Sequence, residues 1–223
     1  MAGALALLLV VGPVWQGVAD PPLVNDALVA RIQGEFGSEA GERLRAWRAL
    51  LEGNGGIPER DKLEKVNRFF NDMTFVSDQE HWHQEDYWAT PVEFLATHGG
   101  DCEDFSLAKY FTLKALGVDE KKLRLTYVKA TFPNQASQAH MVLTYYPTPE
   151  AEPLVLDNLI PSIRKASTRK DLLPVYSFNG AGLWIAKQRG RGILAGDSSR
   201  ISRWTELLER FNAGEVRRSP DQR

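Results

Sequence analysis

The stretch Gly99-Gly100-Asp101-Cys102-Glu103-Asp104-Phe105 decides how this chain is read. Two glycines end whatever precedes them. Asp101 suits a helix N-cap and Asp104 falls at the third helical position. Phe105, Ala108, Phe111, Leu113 and Leu116 then supply the apolar positions of a helix that Gly117 stops. Past Gly117 the texture changes. Residues 123–128, 140–146 and 153–157, then 175–178 and 182–185, are rich in β-branched and aromatic side chains. Polar and Pro-containing loops separate them, which predicts strands. Helices followed by a run of strands predict an α+β domain with its helical N-terminal part packed on an antiparallel β-sheet.

Upstream, Leu44, Trp47, Leu50 and Leu51 recur at helical spacing until Gly53-Asn54-Gly55-Gly56. A second helix opens at Pro58-Glu59 and carries Leu63, Val66, Phe69 and Phe70 on one stripe. Residues 75–88 are aromatic and polar without a period and predict a long loop. Thr90 and Pro91 then start a short helix. Near the end, Trp204, Leu207, Leu208 and Phe211 lie on one face of a last helix, and Arg217-Arg218 read as a solvated tail.

Composition sets the compartment and the partners. The net charge of −2 over 223 residues argues against nucleic acid, because neutralising phosphates needs a basic excess. A single cysteine excludes an internal disulfide framework and any CxxC site. No charge precedes Asp20. The apolar run 2–11, with small residues at Gly17 and Ala19, reads as a secretory signal over residues 1–19, although it lacks a basic start. The run is too short to span a bilayer, which takes about 20 residues, so no stable membrane insertion is expected. Residues 20–223 then form a single domain.

The chemistry is expected at Cys102. A thiol at the first turn of a helix meets unpartnered amides and the positive end of the macrodipole, which favour the thiolate. Gly99 and Gly100 would let a substrate backbone come close. The base is sought among four histidines. The His81–His83 pair falls in the aromatic loop, as a weak metal spacing or a solvated loop. His98 stands where a helix C-cap is due. His140 opens a strand, with Val142 on its own face and Met141 and Leu143 on the other. Asp157 ends the next apolar run, where a carboxylate is costly unless an imidazolium pairs with it. Cys102, His140 and Asp157 therefore make a nucleophile, base and orienting acid. The Cys102 amide supplies one oxyanion donor, and Trp82, Gln84 or Trp88 are candidates for a second.

Asp101, Glu103 and Asp104 crowd that thiol with negative charge, which opposes ionisation. The helix dipole offsets only about 1 kcal/mol. Either the three acids simply cap and favour the first turn, or they hold a divalent cation. Carboxylate oxygens, completed by carbonyls from the loop 118–123, would suit Ca2+.

Three passages carry a resemblance: Gly99-Gly-Asp-Cys-Glu-Asp-Phe105, Ala139-His-Met-Val-Leu143 and Leu154-Val-Leu-Asp-Asn158, with a further likeness over residues 166–184. In this order they resemble the bacterial transglutaminase-like cysteine proteinases, over about residues 60–185. The resemblance implies a transglutaminase/papain-like cysteine protease fold. It places the catalytic residues on Cys102, His140 and Asp157, and calcium on Asp101, Glu103 and Asp104. It further implies a periplasmic thiol protease that cuts a large, repeat-rich biofilm adhesin at a pair of alanines near the adhesin's N-terminus. An inner-membrane cyclic-di-GMP receptor would sequester the enzyme, with exposed aromatics such as Trp184 as docking candidates. Two other readings stay open: acyl transfer to amines, as in transglutaminases, and a catalytically silent binding module of the same fold.

Overall fold

The apolar stripes of the N-terminal third become three helices in the computed structural model, which describes residues 23–132, 136–185 and 192–220. The first, α1 (Asp26–Phe36), is capped by Asn25, whose Oδ1 accepts from the Leu28 amide at 2.8 Å, and it buries Val29 and Ile32. Next come α2 (Ser38–Asn54) and α3 (Glu59–Asn71), which bury the expected Leu44, Trp47, Leu63, Val66 and Phe70. The indole of Trp47 is fully enclosed and donates to Thr112 Oγ1 at 2.8 Å.

Residues 75–88 differ from the expected loop. β1 (Thr74–Phe75) and one capped turn of helix, α4 (Asp78–His81), begin the segment. Trp82, Tyr87 and Trp88 then bury their rings in the core. A single turn has no room to show a 3.6-residue period, so the pattern of the sequence hides it. The next elements are α5 (Pro91–Thr97), β2 (Gly99–Gly100) and α6 (Cys102–Ala115). Thr90 and Glu93 form a capping box on α5, and His98 closes it in the left-handed region at φ 67°.

After α6 the chain enters β3 (Leu123–Ala130), β4 (Gln138–Tyr145), β5 (Leu154–Leu156), β6 (Arg164–Lys165), β7 (Leu172–Asn179), β8 (Gly182–Ile185) and β9 (Ile193–Gly196), and ends in α7 (Ser202–Ala213). These seven strands form one antiparallel sheet in the order β6-β5-β4-β3-β7-β8-β9. Its inner face gives Leu125, Met141, Leu143, Leu156 and Phe178 to the main core with the helices. Val128, Val142 and Val155 form a smaller cluster of their own. The α+β expectation therefore holds, with α6 laid across β4 and β3. The Ser106 hydroxyl, on α6, donates to the Met141 carbonyl at 3.1 Å. Residues 1–19, the expected secretory signal, lie outside the described residues. No helix among the described residues is long and apolar enough to cross a membrane.

Candidate active site

Close packing dictates the entry to α6. A Cβ on Gly99 would lie 2.2 Å from the Thr74 carbonyl oxygen, and one on Gly100 2.1 Å from Asp104 Oδ2. The two glycines thus make room for β1 and for a carboxylate of the chain itself, rather than for a substrate backbone. β1 and β2 pair in parallel, Thr74 with Gly99 and Phe75 with Gly100, which brings Asp78 up against the helix entry. Asp101 caps α6, its Oδ1 accepting from the Glu103 amide at 3.2 Å, and Asp104 Oδ2 accepts from the Asp101 amide at 3.3 Å.

Cys102 is the first residue of α6 and is partly buried. Its thiol donates to Glu103 Oε2 at 2.7 Å. Burial, then the charges of Glu103 and Asp101, push that thiol well above its ordinary range, and the Met141 amide opposes them only in part. Asp104, Asp101 and Asp78 are perturbed the same way. Asp104 is fully enclosed, with Oδ1 accepting from the Ala89 amide at 2.7 Å, and burial and its neighbours Asp101 and Asp78 raise it. Burial and Glu103 raise Asp101. Asp78 is pushed up to about 7 by burial first and Asp101 second.

Asp78, Asp101 and Asp104 each bring an oxygen within 4.8 Å of the others, and Asp101, Cys102 and Glu103 do the same with their own ligand atoms. Asp78 Oδ2 accepts from the Tyr87 amide at 2.5 Å, whereas its buried Oδ1 has no hydrogen-bond partner among the described residues. Converging carboxylate oxygens, one of them an orphaned buried acceptor, form a donor set that fits a hard divalent cation such as calcium. Asp101, Glu103 and Asp104 are the three acids expected from the sequence, and Asp78 joins them. The loop 118–123 does not. It follows the far end of α6, about 20 Å along a helix of this length.

On the neighbouring strand His140 is buried, and its Nε2 meets Asp157 Oδ1 at 2.8 Å. Asp157 lies just past β5 and is itself enclosed. Burial pulls its carboxyl up, but the His140 hydrogen bond and charge, the Leu159 amide and Arg169 outweigh that and hold it at about 2. The structure thus joins His140 to Asp157, and Cys102 to Glu103. The Met141 amide that reaches the sulfur is one residue from His140. Among the described residues no hydrogen bond links Cys102 to His140, so the thiol rests on Glu103.

The remaining candidates take other places. Trp82 and Trp88 are core residues, the latter stacked on Phe178 at 5.7 Å, while Gln84 is exposed. Trp184 is half-buried, with the Arg124 guanidinium 4.1 Å from its ring centre. Among the described residues, the clusters able to hold a metal ion contain no histidine, so His81 and His83 form no such site. Sequence reasoning missed Asp78, Arg169 and Lys109. Arg169 Nη2 donates to Asp157 Oδ2 at 2.6 Å. Lys109 is buried on α6 within electrostatic reach of Asp157.

A sequence model of the bacterial transglutaminase-like cysteine proteinase family (BTLCP) matches residues 57–192. No curated protein sequence matches the chain. Among solved structures, Legionella pneumophila LapG treated with EGTA is similar at 44% identity and a TM-score of 0.73, over 86% of this chain and 100% of that one. Calcium-bound LapG of the same organism is similar at 45% identity and a TM-score of 0.69, over 82% of this chain and 98% of that one.

Proposed function

This chain belongs to the bacterial transglutaminase-like cysteine proteinases and is a cysteine protease, and we propose that it is a calcium-dependent endopeptidase acting through Cys102, His140 and Asp157. The observation that carries this reading is the adjacency of two arrangements. The chain's one cysteine heads α6 amid carboxylates that, among the described residues, have only the weak reach of Arg203 toward Asp78 as counter-charge. One strand away, a buried His140 is held at 2.8 Å by an ionised Asp157.

In the reaction Cys102 turns from Glu103 to His140, and its sulfur attacks the scissile carbonyl carbon. A C–S bond forms as the C–N bond breaks, and His140 delivers the thiol's proton to the departing amine. Water, deprotonated by His140, then cleaves the thioester and restores the thiol. With Nε2 bound to Asp157, Nδ1 is the imidazole nitrogen left to exchange protons with sulfur. The Cys102 amide, unpaired at the start of α6, supports the oxyanion. Asp78, Asp101, Glu103 and Asp104 would hold calcium, which supplies the positive charge that the crowded acids deny the thiolate. The existence of calcium-bound and EGTA-treated LapG supports this.

The finer reading follows the resemblance. The enzyme works in the periplasm, delivered there by the signal over residues 1–19. It cuts a large repeat-rich adhesin at a di-alanine site, releasing it from the cell surface, and an inner-membrane cyclic-di-GMP receptor restrains it. The test is to incubate the purified protein with the adhesin's N-terminal segment, a labelled amine, and either calcium or a chelator. One cut in calcium, none in chelator and none with Cys102→Ala is the expected result. Label incorporated without fragments would make it an acyltransferase instead.

A further inference from the structure

We propose that Arg169 is a positioning residue for this machinery, holding the Asp157 carboxylate turned toward His140; the inference rests on the triad reading above. Both carboxylate oxygens of Asp157 are engaged. Oδ1 meets His140 Nε2 at 2.8 Å and accepts from the Leu159 amide at 3.1 Å, while Oδ2 accepts from Arg169 Nη2 at 2.6 Å. The Asp157 carbonyl accepts from Asn71 Nδ2 at 2.9 Å, so α3 fixes its main chain as well. Arg169 is only 2% exposed and is anchored by Asp171. Its Nε donates to the Asp171 carboxylate at 3.0 and 3.2 Å, and its Nη2 at 2.7 Å. His140, Asp157, Arg169 and Asp171 therefore form one continuous hydrogen-bonded chain. Asp157 cannot rotate away from His140 without also breaking its bond to the guanidinium.

The charged groups facing Asp157 come from three elements: His140 on β4, Lys109 on α6, and Arg169 with Asp171 in the segment leading into β7. Burial pulls the Lys109 ammonium down to about 7, and Asp157 restores it only in part. Lys109 thus gives up its proton more readily than an ordinary lysine, whereas a guanidinium stays charged throughout. Arg169 keeps its charge at every working pH; its single Nη2 bond holds Asp157 Oδ2, and the planar guanidinium is itself fixed by the bonds of Nε and Nη2 to Asp171.

The test uses the full chain with calcium present and reads the imidazole Nε2–H of His140 by NMR, assigned by its loss in His140→Gln. The alkylation rate of the single Cys102 with iodoacetamide serves as the second readout. Arg169→Gln should lose the low-field Nε2–H signal and slow alkylation by about tenfold to a hundredfold, the range seen when a partner behind a functional side chain is removed. Arg169→Lys should fall between it and wild type. Should the Arg169 variants not fold, Asp171→Asn, which only slackens the anchor, should weaken the same signal. A folded Arg169→Gln or Asp171→Asn with the wild-type signal and rate overturns the proposal. Alkylation in His140→Gln as fast as in wild type would instead bring down the triad reading itself.

Discussion

Two groups of carboxylates, buried or partly buried, stand a strand apart, and they have opposite fates. Around Asp157 the chain provides partners: the His140 imidazole and the Arg169 guanidinium bond to it directly, and Lys109 lies behind. At the entry to α6, Asp78, Asp101, Glu103 and Asp104 have mostly backbone amides and one another. Arg203 reaches Asp78 only weakly and pairs with Asp86 at 3.3 Å. Burial raises Asp157 as it raises Asp78, Asp101 and Asp104. The outcome differs because one holds its acid at about 2 and the other lifts Asp78 to about 7. The chain completes the first cluster by itself, whereas in the second a bound cation would supply the missing charge.

The largest effect should come from breaking the completed cluster. Asp157→Asn keeps the shape but favours the wrong imidazole tautomer, and a loss in kcat of about 10⁴ is expected on the precedent of such triads. The calcium concentration for half-maximal activity should not move. Altering the open cluster should do the reverse. Asp78→Asn and Asp101→Asn should raise the calcium required by about tenfold or more, since affinity follows the number of charged oxygen ligands. At saturating calcium kcat should recover. Titrating activity against free calcium separates the two patterns, and an Asp78→Asn variant with unchanged calcium demand would remove Asp78 from the site.

Much of this was legible before any coordinates. The caps, the apolar stripe and the strands after Gly117 are local signals, and so is the pairing of His140 with Asp157, because a carboxylate closing an apolar strand needs a partner. Asp78 had no such signal. It belongs to the site only because β1 pairs with β2, a contact between residues more than twenty positions apart. Arg169 is likewise an ordinary loop arginine until the β5 and β7 registers bring its segment to Asp157. The reading of Gly99 and Gly100 as space for substrate failed for a related reason. A glycine shows that something comes close, and here it is Thr74 and Asp104. α1 could have been read, since Asn25 caps it and Val29 and Ile32 follow at helical spacing.

The smallest effect is the sharpest on the comparison, because it opposes the two clusters within one measurement. Asp78, Asp101 and Asp104 bind protons more tightly in the folded chain than the ordinary carboxylate value of about 3.9. Their contribution is therefore fully present below that value and is lost as pH rises through the neutral range. Asp157 is depressed, so its contribution is present above about 4 and is lost as pH falls toward about 2. Chelated protein should then lose thermal stability between about pH 5 and pH 8, near neutrality where most proteins hold level. Calcium should abolish that slope. At a hundred times its dissociation constant it should add about 2.7 kcal/mol, or roughly 5–10 °C in Tm for a chain of this size. Asp78→Asn should flatten the slope in chelator and leave the loss below about pH 4 untouched. A chelated Tm that holds or climbs from pH 5 to 8 would mean that the acids at α6 are already balanced within the chain, and the contrast between the two clusters would disappear.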